Sequence, residues 1–170
     1  MLARNETIFK WTLYTMASLL CVFVQGAVLQ RIVLLGVLPF LYPLLAVIPA
    51  TYEQPVPATV FALCTGVFCD LLLPAPIPCF YTLVFPVAGL CASLLSQSIL
   101  PAGYLCSFAA AAAAFLLTDG FHCFLLWAGG QAAWGAGLSV MAREMLLTLP
   151  LVIPVTLLYR GVYRRTHLDD

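Results

Sequence analysis

The sequence predicts an all-α membrane protein of six transmembrane helices joined by short loops. The prediction rests on the composition and on the long apolar runs between the charges. Of the 170 residues, 64% are hydrophobic and 8% are charged, whereas a soluble domain has about 25% charged and 45–50% apolar residues. The longest charge-free run, residues 71–118, contains 48 residues, and about 20 apolar residues suffice to cross a bilayer.

The charge balance excludes further classes of protein. The seven basic and seven acidic residues give a net charge of zero, so the chain offers no basic surface for nucleic acid. Its high apolar content also argues against a disordered segment and against a water-soluble enzyme. The bilayer is therefore the expected environment.

Breaks rich in proline and glycine divide the apolar runs into individual spans. The segments LPAPIP (73–78) and SQSILPAG (96–103) bound the fourth span, because clustered prolines do not continue a helix. Six spans of about 20 residues use about 120 residues, so the rest form termini and loops rather than an extramembrane domain. The spans are predicted near residues 10–29, 32–51, 56–73, 77–97, 102–127 and 134–159.

Basic residues near both ends of the chain predict its orientation. Cytoplasmic loops are enriched in Lys and Arg, so both termini are expected to face the cytoplasm, which requires an even number of crossings. The first apolar stretch is longer than the core of a signal peptide and another span follows it, so we expect it to remain as an anchor. The residues that set the orientation are Arg4, Lys10, Arg160, Arg164 and Arg165.

The chain carries little of what catalysis or metal binding requires. It has two histidines, and its seven cysteines form no C-x-x-C pair, so we interpret the cysteines as small packing residues rather than as metal ligands. The G-x-S-x-G, H-E-x-x-H and phosphate-loop motifs are also missing. We expect no enzymatic activity, no metal and no cofactor.

Prolines interrupt two of the predicted spans. Pro39, Pro43 and Pro49 lie in the second, and Pro150 and Pro154 lie in the sixth. Each removes a backbone hydrogen bond that neighbouring helices or water must replace. The bent helices either open a groove or reflect irregular packing of the bundle.

Charged and ionisable residues are expected to gather in the outer half of the bilayer. Asp119 and His122 are three residues apart and share a helix face in the fifth span. Asp70 lies at the outer end of the third span, where the helix dipole disfavours a carboxylate, so it needs a cation or must be protonated. Such a cluster serves a partner, a ligand or a proton relay, or is a patch satisfied by neighbouring helices. The predicted outer polar cluster comprises Arg31, Asp70, Asp119, His122, Arg143 and Glu144.

Three short motifs occur in the second, third and last spans. The segment ALCTGVFCDLLL (62–73) is a helix with Gly66 that ends in a single acidic residue, Asp70. The segment LPFLYPLL (38–45) places Pro39 in the second span, and LLYRGVYRR (157–165) joins the last span to a basic tail. Together they resemble the family of the bacterial rod shape-determining protein MreD, over nearly the whole chain, with Pro39, Gly66 and Asp70 at the family's motif positions.

The resemblance implies a non-enzymatic scaffold of the cell-wall elongation machinery in the bacterial cytoplasmic membrane. Its expected partner is MreC, a single-span protein with a periplasmic coiled coil, within a wider complex of RodA-type glycosyltransferases, class B penicillin-binding proteins and MreB. The family fold is described as similar to the substrate-binding subunits of energy-coupling-factor vitamin transporters.

Two other functions compete with the scaffold. A vitamin-binding transporter subunit would also need an outward polar cluster. However, such subunits share an Ala-x-x-x-Ala motif on the first span, where this chain has Ala17 and Cys21. The third alternative, an intramembrane enzyme or haem carrier, is not supported, because the sequence has no paired histidines and no catalytic motif.

Overall fold

The protein is a bundle of helices. The computed structural model describes residues 2–33, 36–75, 77–130 and 134–166, with side chains from Thr7 onward. The side chain of Arg4, which contributes to the predicted orientation, therefore lies outside the described part. The α-helices are α1 (Leu2–Ala27), α2 (Tyr42–Ala50), α3 (Pro55–Leu72), α4 (Phe80–Ser98), α5 (Tyr104–Ala128), α6 (Trp134–Thr148) and α7 (Val152–Thr166).

Five helical stretches are long and apolar enough to cross a membrane. They contain 18 to 33 residues, with mean hydropathy between 1.5 and 1.7, and their outer surfaces expose large apolar side chains such as Phe23, Leu71 and Leu105. The prediction of an all-α membrane protein is confirmed. The five stretches are Thr7–Arg31, Pro55–Leu72, Phe80–Ser98, Tyr104–Ala128 and Trp134–Thr166.

The second predicted span differs from the others. A continuous helix was expected near 32–51, but α2 has nine residues, which span about 14 Å of a hydrocarbon core about 30 Å thick. Proline disfavours helical geometry in the preceding residue and is tolerated in the first helical turn. Pro39 therefore delays the helix, and Pro43 lies at its beginning.

The chain nevertheless returns across the bundle between α1 and α3. Lys10, near the start of α1, forms an ion pair with Glu53, which follows α2, with 2.7 Å between Nζ and Oε2. The non-helical part of this crossing is held by side chains. The Gln25 amide donates to the carbonyl of Pro39 and accepts from the N–H of Leu41, and the Phe40 N–H donates to Oγ1 of Thr148. These contacts satisfy backbone groups that cannot remain unpaired inside a membrane.

Two faces of the bundle follow from these contacts. The terminal face holds Lys10, Glu53, Tyr104 and Arg160; the guanidinium of Arg160 lies 5.8 Å from the ring centre of Tyr104. The opposite face holds the end of α1 and the turns from α3 to α4 and from α5 to α6. Both described ends of the chain therefore lie at the terminal face, as an even number of crossings requires.

The last span is not one continuous α-helix. A 3₁₀ turn, Leu149–Leu151, separates α6 from α7, because Pro150 has no N–H to continue the α-helical hydrogen bonds. The span was predicted over 134–159, whereas α7 continues to Thr166.

The core lies around α2, all nine residues of which are buried. Helices α3 and α4 pack closely beside it: a Cβ on Gly89 would lie 2.6 Å from the Cβ of Ala62. Helix α1 joins the bundle through α7, where Ser18 and Tyr159 share a hydrogen bond of 2.7 Å. On its other side, α1 is separated from α3 by an apolar groove.

Candidate functional site

The candidate site is centred on Asp70, the acidic residue of the third span. Its Oδ1 accepts a hydrogen bond from the N–H of Tyr81 at 3.0 Å. Its Oδ2 accepts one from the N–H of Thr82 at 2.8 Å and another from the Thr82 hydroxyl. These residues form the first turn of α4, whose N–H groups have no partner within the helix. Asp70 therefore caps α4 from a neighbouring helix.

The residue at the N-cap position of α4 does not perform this role. Cys79 has a left-handed backbone conformation, with φ of 59°, and makes no side-chain capping hydrogen bond. The carboxyl group of Asp70 supplies the acceptors instead, and an acidic group near a helix N-terminus is favoured by the helix dipole.

Gly66 contacts the same turn of α4 as Asp70. It lies one turn before Asp70, and a Cβ on it would lie 2.6 Å from the carbonyl oxygen of Tyr81 and 3.0 Å from the Cα of Thr82. Only glycine allows the backbones of α3 and α4 to approach this closely. We call the contact of Gly66 and Asp70 with Tyr81 and Thr82 the α3–α4 joint.

The joint gives Asp70 partners that the sequence did not predict. The sequence predicted a cation or a proton to compensate for the unfavourable end of α3. The compensation comes from the N-terminus of α4, whose dipole has the opposite sign. The ion pair of Lys10 with Glu53 lies on the terminal face, away from Asp70.

Two other predicted acidic residues lie beside the joint. Asp119 on α5 and Glu144 on α6 are within electrostatic range of each other and of the Tyr81 hydroxyl. Oδ2 of Asp119 is buried and accepts no hydrogen bond from the described residues. Tyr81 thus relates the three acidic residues: its N–H donates to Asp70, and its hydroxyl is within electrostatic range of Asp119 and Glu144.

The remaining members of the predicted outer polar cluster are His122, Arg31 and Arg143. The His122 ring packs edge-on against Phe80, with ring centres 5.8 Å apart. Arg31 is exposed in the turn after α1 and forms no ion pair with the described residues, and Arg143 is exposed on α6. Of the predicted cluster, Asp70, Asp119 and Glu144 are therefore related through Tyr81, His122 contacts Phe80, and both arginines are exposed.

Sequence reasoning missed several residues that hold the bundle together. Gln25, 3% exposed, fixes the non-helical crossing; the only signal was one amide within an apolar span. Lys10 entered the prediction as an orienting charge, without its partner Glu53. No sequence signal identifies Thr82 as a partner of Asp70.

The structure has two notable concave regions. The apolar groove between α1 and α3 has a volume of about 600 Å³. A smaller cavity of about 340 Å³ lies toward the opposite face, where Gln25, Gln30, Tyr42 and Glu144 join apolar residues of its lining. Among the described residues, no group of three or more His, Cys, Asp and Glu has the arrangement of a metal site.

Cysteines follow no single pattern of burial. Cys21, Cys69 and Cys106 are buried and pack within the bundle, whereas Cys64, Cys79 and Cys91 are exposed. Cys64 lines the groove between α1 and α3, and Cys79 precedes α4.

The fold defines the class of this protein: an α-helical, multi-pass membrane protein. Comparison of the chain with protein-family models, with curated protein sequences and with solved structures gives no match. The resemblance to the MreD family therefore rests on the sequence motifs described above.

Proposed function

We propose that the chain is a non-enzymatic scaffold of the cell-wall elongation machinery in the bacterial cytoplasmic membrane. It maintains rod shape by binding an MreC-like single-span protein and organising peptidoglycan synthases. The α3–α4 joint carries this proposal. Gly66 and Asp70, two positions through which the sequence resembles the MreD family, meet the same turn of α4. Motif residues that fix the relative positions of two helices suit a protein that presents a rigid surface to its partners.

The architecture supports the same proposal. The helices are joined by short connections, which leave little chain for a separate domain, so partners must be recognised mainly by helix faces within the membrane. Such faces associate through close packing and interhelical hydrogen bonds. The wider complex contains a RodA-type glycosyltransferase, a class B penicillin-binding protein and MreB.

Purification from native membranes tests the scaffold. The tagged chain is extracted in mild detergent, and the co-purifying proteins are identified by mass spectrometry. We expect a single-span protein with a coiled coil, together with wall synthases. The control is the untagged chain taken through the same extraction and purification, which should recover none of these proteins.

A substrate-binding subunit of an energy-coupling-factor vitamin transporter is the second candidate. The observation that favours it is the cavity of about 340 Å³ toward the opposite face, because small-molecule sites begin at about 300 Å³. Its signature in the same purification is a pair of ATPases with one larger membrane subunit. Recovery of that set would overturn the scaffold and make this cavity the candidate vitamin site.

A further inference from the structure

The groove between α1 and α3 is a lateral opening in the bundle. Its floor is α2, which contributes Tyr42 and Leu45, and its walls come from α1 and α3. Trp11 and Phe61 join the two walls, with their rings stacked at 5.7 Å between centres. Because apolar surface in a close-packed bundle loses favourable contacts when it faces a void, this groove needs an occupant.

The lining of the groove offers an occupant almost no hydrogen bonds. The hydroxyls of Thr15, Ser18 and Thr65 are each bonded to the carbonyl four residues earlier in their own helix, at 2.8 to 3.0 Å. The remaining lining is mainly aliphatic and aromatic, with Leu19 and Phe68 among its exposed members. A sugar, a nucleotide or a vitamin would leave its polar groups unpaired here, whereas hydrocarbon would not.

The dimensions of the groove suit a single chain of hydrocarbon. On α1 the lining extends from Trp11 to Val22, roughly 17 Å at the helical rise. Distributed over this length, the volume of about 600 Å³ corresponds to a cross-section of roughly 35 Å². A helix with its side chains is 10–12 Å wide and has a cross-section of roughly 80–110 Å². The enclosed part of the groove is therefore narrower than a helix with its side chains, and a single acyl chain fits within it.

Charge on the terminal face favours one class of lipid. The groove begins beside Lys10, which is paired with Glu53, and the end of α7 at this face carries three arginines. Basic residues at a membrane surface attract anionic headgroups, and a tryptophan such as Trp11 is typical of headgroup depth. The charged residues are Lys10, Arg160, Arg164, Arg165 and Glu53.

We propose that this groove is a binding site for one acyl chain of an anionic phospholipid from the leaflet at the terminal face. The chain lies between α1 and α3 above α2, and its headgroup lies among the basic residues of that face. The lipid completes the packing of α1, whose other contacts are made mainly through α7. The site is independent of the proposed scaffold function, because it requires only that the protein is in a bilayer.

Quenching of Trp11 fluorescence by brominated lipids tests the proposal. The full chain carrying Trp127→Phe and Trp134→Phe retains Trp11 as its single tryptophan and is reconstituted into mixed vesicles. Either the phosphatidylglycerol or the phosphatidylcholine is brominated near the headgroup end of its chains. The matched control carries Trp11→Phe and Trp127→Phe, so that it reports through Trp134, which is exposed at the start of α6.

We expect Trp11 to favour phosphatidylglycerol about fivefold, which is the effect of one basic residue at about 1 kcal/mol, and Trp134 to show little preference. Val60→Phe, which narrows the groove from an exposed position, should reduce the quenching of Trp11. The double variant Arg164→Gln with Arg165→Gln should lower the preference of Trp11 for phosphatidylglycerol. It should not unfold the protein, because both side chains are exposed.

Three results would overturn the proposal. Equal preference at Trp11 and Trp134 would mean ordinary contact with the surrounding bilayer. If neither lipid quenches Trp11 while Trp134 is quenched, a second copy of the chain covers the groove. Unchanged quenching in the Val60→Phe variant would place the lipid elsewhere.

Discussion

Replacing Asp70 with alanine is expected to destabilise the bundle by about 2–4 kcal/mol. The change removes both oxygens that receive the N–H groups of Tyr81 and Thr82 and the hydroxyl of Thr82. Loss of a capping side chain costs about 0.5–2 kcal/mol, and each buried donor left without a partner adds about 1–3 kcal/mol. The estimate stays below the sum because Asp70 is only partly buried and water can replace some of the lost hydrogen bonds.

Two further variants separate the contributions. Asp70→Asn retains one acceptor oxygen, so it should cost about 1–2 kcal/mol. Thr82→Val removes only the hydroxyl and should cost about 1 kcal/mol. The double variant Asp70→Ala with Thr82→Val should be less destabilised than the two single effects combined, because both remove the same hydrogen bond.

The assay unfolds the protein in mixed micelles with a denaturing detergent. Helix content reports the folded fraction, and size-exclusion chromatography of the tagged protein shows whether it remains monodisperse. The reasoning is refuted if Asp70→Ala remains within about 0.5 kcal/mol of the wild type, the range of ordinary surface substitutions. Additive effects in the double variant would refute the specific contact between Asp70 and Thr82.

Three other substitutions can be measured in the same assay. Gly66→Ala should cost about 1–3 kcal/mol, because its Cβ meets the Tyr81 carbonyl oxygen, whereas Gly26→Ala, with open space around it, should be neutral or slightly stabilising; equal effects would contradict the close approach. Lys10→Met should cost up to about 3 kcal/mol because it leaves the Glu53 side chain, 6% exposed, without its cation, and adding Glu53→Gln should restore most of that loss. Cys79→Gly should stabilise the bundle by about 0.5–1 kcal/mol, because glycine adopts the left-handed backbone conformation without strain. A loss of stability would show that contacts of the Cys79 side chain stabilise the fold by more than this strain costs.

The sequence predicted the parts of the fold that depend on hydropathy. Charge-free runs locate the five long spans because the requirement to cover about 30 Å with apolar residues acts on each helix separately. The same signal misled at residues 32–51, since a buried non-helical segment is as apolar as a helix. The prolines in this stretch indicated an interruption, but not that Gln25 and Thr148 would hold the exposed backbone groups.

The candidate site was only partly predictable. Asp70 was identified because an acidic residue within an apolar span must be compensated. The sequence predicted a cation or a proton as its compensation, because a sequence does not show which backbone N–H groups at the start of a helix will lie beside a carboxylate. The proximity of Asp119 and Glu144 depends on how α5 packs against α6, which depends on tertiary contacts rather than local periodicity.

The burial of α2 has a consequence for how the protein enters the membrane. All nine residues of this helix are covered by other parts of the chain, and the non-helical residues before it rely on Thr148, more than a hundred positions later. When the ribosome has made only the first two crossings, the later helices that bury the second crossing are missing, and so is Thr148, one of its backbone hydrogen-bond partners. A translocon releasing helices in order would therefore have to retain or shelter this segment, and the second crossing would reach its final form only after the last one is synthesised.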